Sequence, residues 1–302
     1  MISVVTVSYH TGPVLFNAIA SVLEQPGLHE FILVDNGNSA AFREEISARF
    51  GSYPNFRQII NDRNLGFSAA CNQGAAIATG NILLFLNPDC ILLSDSLQQL
   101  QALADRLPEH AMIGADLRGT DNLPQRGARR NLPTPWLTLV ELFRLDKLAP
   151  KHPYFRRINR QTEPVPVTEI EVPAISGAFM AMKRTDFLEV GQFDENYFLH
   201  VEDLDLCYRW QQLGWKTWFA PQLRVMHLLS TSDVSPLFIE QNKTRGLIRY
   251  FTTHFSPYYP AAMLWLLSAS LTVRYIGRWV EFYLRPRWTA ISIKRVTDHV
   301  EG

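Results

Sequence analysis

Apolar and polar positions in the first 115 residues follow two periods in turn. Ile2 to Ser8 is a β-branched run followed by Thr11-Gly12-Pro13, where a helix can start. Val14, Leu15, Ala18, Ile19, Val22 and Leu23 then recur at helical spacing. Phe31 to Val34 is a short, wholly apolar run that stops at the turn signal Asp35-Asn36-Gly37. Gln58-Ile59-Ile60 reads as a third strand, and Asn64 to Thr79 as a helix of small residues entered through Gly66. Ile82 to Leu86 is a fourth buried strand, ending at Asn87-Pro88-Asp89. Asp95 or Ser96 can cap the next helix, whose stripe is Leu97, Leu100, Leu103, Ala104 and Leu107. Strands without polar alternation, separated by helices, predict a parallel sheet covered on both faces, an α/β domain.

The pattern weakens after residue 115. Prolines at 124, 133, 135, 150, 153, 164 and 166 interrupt any long element, and Arg126, Arg129, Arg130, Arg156, Arg157 and Arg160 give local positive charge. This stretch, 116–172, is expected to form surface excursions over an active-site face or ordinary connecting loops. Between Val172 and His227 the pattern returns as an apolar strand, glycine-punctuated turns and an acidic helix start at Glu202-Asp203-Leu204-Asp205.

Composition narrows the classes. Of 302 residues, 47% are hydrophobic and 19% charged, enough to bury a core and too apolar for a disordered chain. Lys plus Arg and Asp plus Glu both number 29, so the basic surplus of a dedicated nucleic-acid binder is missing. Cys71, Cys90 and Cys207 are distant from one another and lack CxxC spacing, which predicts neither disulfides nor a zinc site and fits a reducing compartment. The N-terminal apolar run has no basic lead and no small-residue cleavage site, unlike a secretory signal.

The charge is unevenly spread. Residues 243–302 hold nine Lys/Arg against three acids. Within them, Ala261 to Val273 is almost wholly apolar and is flanked by Tyr258, Tyr259, Arg274, Tyr275 and Arg278. Thirteen residues do not cross a bilayer, which takes about 20. The expectation is a helix lying in the membrane interface, with core packing or a homodimer contact as the competing readings.

Two constellations carry candidate chemistry. In an open parallel sheet, ligands bind beyond the carboxyl ends of the strands. Asp35 and Asp89 follow two such strands and are expected on one sheet edge, joined there by the helix start at Gly66, which suits phosphate. Neither a GxGxxG nor a Walker pattern occurs, so hydride-transferring dinucleotide enzymes and P-loop NTPases are disfavoured. In the second, Asp205 and Arg209 form an i,i+4 pair on a helix start, but adjacent Glu202 and Asp203 repel unless a cation or a proton uses them. His227 stands in an apolar Val-Met-His context, where a satisfied core histidine is the ordinary reading.

Seven segments then fall in a familiar order: Val4-Val5-Thr6-Val7-Ser8-Tyr9, Leu33-Val34-Asp35-Asn36-Gly37, Asn64-Leu65-Gly66-Phe67, Leu86-Asn87-Pro88-Asp89, Ser176-Gly177-Ala178, Gly191-Gln192-Phe193-Asp194-Glu195 and Glu202-Asp203-Leu204-Asp205-Leu206-Cys207. Over roughly residues 1–230 the chain resembles family 2 glycosyltransferases of the GT-A fold, especially bacterial rhamnosyltransferase-like members of cell-surface polysaccharide pathways. The resemblance implies a Rossmann-like, mainly parallel sheet flanked by helices. It divides the chain into a catalytic domain at 1–232 (a nucleotide-sugar half, 1–115, and an acceptor half, 116–232) and a helical extension at 233–302. It further implies inverting transfer of a sugar from a nucleotide diphosphate donor to a hydroxyl of a glycan or polyprenol-linked acceptor. The basic, apolar tail at 243–302 is expected to hold such an enzyme at the cytoplasmic face of a membrane.

Site roles follow from the same resemblance. Val7 to Tyr9 and Asp35 would hold the nucleoside, and Asn64 and Gly66 would sit beside nucleotide and sugar. Asn87-Pro88-Asp89 stands where the family usually has Asp-x-Asp, so Asp89, with His227, would hold a divalent metal, Mg2+ or Mn2+. Ser176 and Gly177 would line the donor and acceptor pocket. Asp203 would be the general base and Glu202 its fallback. Two rival classes are a sugar-nucleotide nucleotidyltransferase and a catalytically silent GT-A-like glycan-binding or scaffold protein. The first usually has a Gly-rich basic loop where Tyr9-His10-Thr11-Gly12 stands here; the second has no need of Asp35, Asp89, Asp203 and His227 together.

Overall fold

The computed structural model describes residues 1–148, 152–155, 157–229 and 233–284. In chain order its elements are β1 (Ile2–Ser8), α1 (Val14–Leu23), β2 (Leu28–Asp35), α2 (Ala40–Phe50), β3 (Phe56–Ile60), α3 (Phe67–Ile77), β4 (Ile82–Leu86), β5 (Cys90–Leu92), α4 (Ser96–Arg106) and β6 (Ala111–Arg118). There follow β7 (Arg129–Arg130), α5 (Pro135–Leu142), β8 (Ile170–Glu171), β9 (Ala174–Ile175), β10 (Phe179–Lys183), α6 (Arg184–Glu189), α7 (Glu202–Gln212), β11 (Lys216–His227), α8 (Pro236–Phe255) and α9 (Ala261–Leu284).

One large sheet runs β3-β2-β1-β4-β10-β6-β11-β5, with β8 also paired to β11. The first four strands are parallel; β1, β2 and β4 carry the largely apolar runs that predict this, while β3, at the sheet edge, is only partly buried. β1 and β4 are buried along their full length, and α3 packs on β1 and β2. Beyond β4 the sheet is mixed. β10 is antiparallel to both β4 and β6 because the chain enters it at Phe179, beside Leu86, from the edge where β4 ends. β11 is parallel to β6 and antiparallel to β5 and β8. The division expected at residue 115 falls inside β6, so the two halves share one sheet rather than meeting at a linker.

Local chemistry explains some helix starts. Ser39 caps α2 by accepting from the Phe42 N–H, and Thr134 caps α5 through Leu137. Asp95 stands at the start of α4 but makes no cap bond; its carboxylate accepts from the Gln99 side chain instead. Cys71, Cys90 and Cys207 are free, buried thiols.

α8 and α9 form a helical pair continuous with the domain. α8 starts on Pro236 and buries Gly246, Tyr250, Phe251 and Phe255. His254 on α8 bonds Asp205 on α7 at 2.7 Å, and the Arg209 pair expected for Asp205 is present at 2.8 Å. α9 extends the expected Ala261–Val273 run to 24 residues, about 36 Å of helix. Its buried side is the Leu264, Leu267 and Leu271 stripe. Trp265, Leu266, Val273, Ile276, Trp279, Val280, Phe282, Tyr283 and Leu284 are exposed. No helix among the described residues is long and apolar enough to cross a membrane. The basic residues Arg285, Arg287, Lys294 and Arg295 lie outside the described residues.

Candidate active site

The carboxyl ends of β1, β2 and β4 bring the first constellation together. Asp35, the last residue of β2, is fully buried, and its oxygens accept from the Gly37 and Asn38 N–H groups and the Asn38 amide at 3.0–3.1 Å. A nucleoside base would therefore share Oδ2 with Asn38. Asn38 also bonds the Ser8 carbonyl and the His10 N–H, tying the ends of β1 and β2 into one rim. Val7 points into the core, so only its backbone is left for a ligand, whereas Tyr9 is half-buried at the rim.

Asn64 and Gly66 form the next part of that rim. Asn64 Oδ1 accepts from the Gly66 N–H and from the Asn36 amide, both at 2.9 Å. Gly66 has φ +90°, and a Cβ there would meet the Phe198 carbonyl oxygen at 2.8 Å. Only glycine combines that backbone with that approach. The Phe67 N–H donates to the same carbonyl, which pins the start of α3 to the loop before α7.

After β4, Asn87 and Asp89 meet His227 at the end of β11. Antiparallel pairing sets His227 opposite Cys90, and this places His227 Nε2 3.2 Å from Asp89 Oδ1. Asn87 Nδ2 lies 3.5 Å from the same nitrogen. Both Asp89 and His227 are more than nine-tenths buried. Ligand atoms of Asp89, Cys90 and His227 all lie within 4.8 Å of one another. The Cys90 thiol donates to the Ala178 carbonyl, and burial, with the Asp89 charge added, raises its pKa well above the ordinary value. That leaves one carboxylate and one imidazole as the donor pair. The carboxylate suits Mg2+ or Mn2+, and the imidazole nitrogen departs from the all-oxygen shell Mg2+ prefers, which favours Mn2+ of the two.

The second constellation lies across the Ser176–Ala178 segment, which bonds to both sides. The Ala178 carbonyl accepts from the Asn87 N–H at 2.9 Å, and the Gly177 N–H donates to Asp203 Oδ2 at 3.0 Å. A Cβ on Gly177 would sit 3.3 Å from that of Asp203. Ser176 Oγ accepts from the Ala178 N–H. Asp203 Oδ2 is also ion-paired with Arg130, which donates to the Ile175 carbonyl as well. Burial alone raises the Asp203 pKa, but the Arg130 charge and the Gly177 N–H outweigh it and hold the carboxyl below its usual range. Glu202 goes the other way. Burial, and then the charge of Asp203, raise its pKa, and its Oε2 has no hydrogen-bond partner among the described residues. The two adjacent carboxyls thus avoid the repulsion implied by their sequence: one stays ionised while the other favours its acid form.

Backbone strain sets their direction. His200 and Val201 both have positive φ, +66° and +77°, and a β-branched residue in that region is an outlier. Gly246 on α8 makes room for this turn, since a Cβ there would lie 3.0–3.1 Å from Val201 and the His200 carbonyl.

Sequence reasoning missed Gln125, which bonds His227, and the pairing of Arg130 with Asp203. Both come from the Pro-interrupted stretch, where only an arginine cluster was visible. Within that stretch, Gln125 lies against His227, and Arg130, on the short strand β7, lies against Asp203.

The sequence profile described as glycosyl transferase family 2 matches residues 3–191. An N-acetylglucosaminyl-diphospho-decaprenol L-rhamnosyltransferase of Mycobacterium tuberculosis is 27% identical over 293 residues, covering 91% of each chain. A low-salt glycan biosynthesis hexosyltransferase, Agl10, of Haloferax volcanii is 23% identical over 69% of this chain and 61% of its own. Among solved structures, GalNAc-T7 with UDP, GalNAc and Mn2+ superposes with a TM-score of 0.62 at 18% identity. That match covers 85% of this chain and 48% of the other, so this chain spans about half its length. The mannosyltransferase PcManGT of Pyrobaculum calidifontis, with GDP-Man and Mn2+, gives 0.56 at 12% identity over 89% of this chain and 68% of its own.

Proposed function

The chain belongs to glycosyl transferase family 2, and from that premise we propose that it moves a sugar, rhamnose first among candidates, from a nucleotide diphosphate donor to a hydroxyl of a polyprenol-linked or growing cell-surface glycan, with inversion. It is a glycosyltransferase of the rhamnosyltransferase-like kind, and the mycobacterial relative, matched over 91% of each chain, is named for L-rhamnosyl transfer. The observation that carries the reading is the Ser176–Ala178 segment, hydrogen-bonded to the Asn87–Asp89 turn on one side and to Asp203 on the other.

In this reading Asp203 takes the proton from the acceptor hydroxyl as it attacks. A single displacement needs one such base, unlike retaining hydrolysis with its second, nucleophilic carboxylate. Glu202, its pKa raised to about 8, is the stronger base but is mostly protonated near neutral pH and so less available to take a proton. Val7 to Tyr9, Asp35, Asn64 and Gly66 border the nucleoside and donor sugar in the 1–115 half, and Ser176 and Gly177 separate donor from acceptor. Asp89 and His227 would hold a divalent ion, which when bound offsets the negative charge on the diphosphate leaving group.

The test is nucleotide release from purified protein over a panel of sugar nucleotides, with and without Mn2+ and with a polyprenyl-diphosphate sugar as acceptor. Acceptor-dependent release from one donor is expected. A scaffold protein releases none with any donor, and a nucleotidyltransferase requires a nucleoside triphosphate and a sugar phosphate instead.

The reading extends to the membrane, where such an acceptor lies. The exposed α9 residues include Trp265, Trp279 and Tyr283, amphipathic rings suited to the headgroup level. Arg278 is exposed beside them and pairs with Glu281, while Arg274 is half-buried and pairs with Glu240. Each basic residue near an anionic leaflet contributes about 1 kcal/mol, screened by salt. Co-sedimentation with anionic liposomes is therefore expected at low salt and is expected to weaken at high salt. The double variant Trp279→Ser, Tyr283→Ser is expected to bind less. If the protein stays in the supernatant at low salt, the membrane reading of α9 falls.

A further inference from the structure

We propose that Gln125 is a positioning residue for His227, fixing the imidazole tautomer that offers its Nε2 lone pair to the site shared with Asp89; this rests on the reading of Asp89 and His227 as the metal ligands.

The geometry is a two-point clasp. Gln125 Oε1 lies 2.8 Å from His227 Nδ1, and Gln125 Nε2 donates to the His227 backbone carbonyl at 2.5 Å. The second bond settles the first. A carbonyl oxygen only accepts, so the amide nitrogen must face it, and the amide oxygen must therefore face the ring. An oxygen facing Nδ1 accepts a proton from it. The neutral imidazole then carries its hydrogen at Nδ1 and its lone pair at Nε2.

That lone pair faces a carboxylate oxygen. Nε2 and Asp89 Oδ1 are 3.2 Å apart, two electron-rich atoms brought together in a buried place. A cation between them turns the repulsion into ligation. The reverse tautomer, with hydrogen at Nε2, would donate to Asp89 and remove the imidazole from the ligand set. The clasp is itself anchored: the Gln125 N–H donates to the Leu117 carbonyl on β6 at 2.8 Å, and Pro124 bridges to Arg118. An outer partner that fixes a ligating histidine in this way typically changes metal affinity 10–100-fold, roughly.

Two measurements test this. In full-length, metal-free protein, long-range 1H–15N spectra of the ring should show His227 protonated at Nδ1; protonation at Nε2 overturns the proposal. Mn2+ binding is then followed by electron paramagnetic resonance, with a nucleoside diphosphate present, for wild type and Gln125→Ala. The expected result is a dissociation constant raised about 10–100-fold in the variant, with its thermal transition intact. Equal affinities overturn the role of Gln125 and leave the metal reading standing. A wild type that binds no Mn2+ overturns both.

Discussion

Asp203→Asn is expected to lower turnover by about 10²–10⁴-fold, the usual contribution of a positioned general base, while donor binding stays near wild type. Asparagine keeps the shape and can still accept from the Gly177 N–H through its amide oxygen, but it cannot take a proton. The variant also loses the charge that meets Arg130, so nucleotide binding and thermal unfolding should be measured beside turnover. The pH profile adds a separate check. With the Asp203 carboxyl held below its usual range, the base stays ionised to low pH, and activity falls only as pH drops through that lowered pKa. Arg130→Gln removes the main lowering influence and leaves burial, which raises the pKa. The acid limb of kcat/KM is therefore expected to move upward in that variant. Wild-type-like turnover in Asp203→Asn sinks the assignment. If turnover is instead lost in Glu202→Gln alone, the role passes to Glu202.

Loss of the Asp89 carboxylate is the second large effect. Asp89→Asn, like chelation by EDTA, is expected to reduce transfer about 10²-fold or more, since charge neutralisation by a bound metal supplies several kcal/mol and each 1.36 kcal/mol is tenfold. Asn87 already stands where the family usually has a carboxylate, so Asp89 supplies the only acidic oxygen among Asn87, Asp89 and His227. Nucleoside diphosphate binding should weaken in parallel, and Mn2+ should restore both activity and binding after chelation but not in the variant. Undiminished transfer in metal-free buffer would show that the reaction proceeds without the ion. His227→Ala is expected to follow the same pattern more mildly, because a neutral ligand is lost rather than a charged one.

Sequence and structure differ most where contacts are distant in the chain. The turn Asp35-Asn36-Gly37 was legible, but not that Asn36 would donate to Asn64, 28 residues on, or Asn38 to the Ser8 carbonyl, 30 residues back. α2 has almost no apolar stripe, burying only Ile46 and Phe50, so periodicity had little to find. Within the helical extension expected at 233–302, the bounds of α8 were not legible for a related reason: its buried positions include Asn242, Thr244 and Gly246, which do not read as a core face.

The sequence by itself determined the buried parallel strands β1, β2 and β4, because a strand buried on both faces is largely apolar and shows it in a short window. β3, a partly exposed edge strand with Arg57 and Gln58, was legible only from its Ile59-Ile60 end. The sequence also determined the order of the motif segments and the acidic start of α7 for the same reason: each is written in contiguous residues. Only the tertiary structure decided which of two adjacent carboxyls stays ionised. Glu202 and Asp203 are neighbours with similar intrinsic acidity, and the difference comes from Arg130, 73 residues from Asp203 and aligned by the β7–β9 pairing, and from the Gly177 N–H. It also decided that His227 meets Asp89, since the register of β11 against β5 sets that distance, and that Gln125 turns the ring. Local patterns fix elements through burial, which each residue carries with it. Protonation and ligand geometry depend on charges and hydrogen bonds from remote segments, and those exist only once the sheet has assembled.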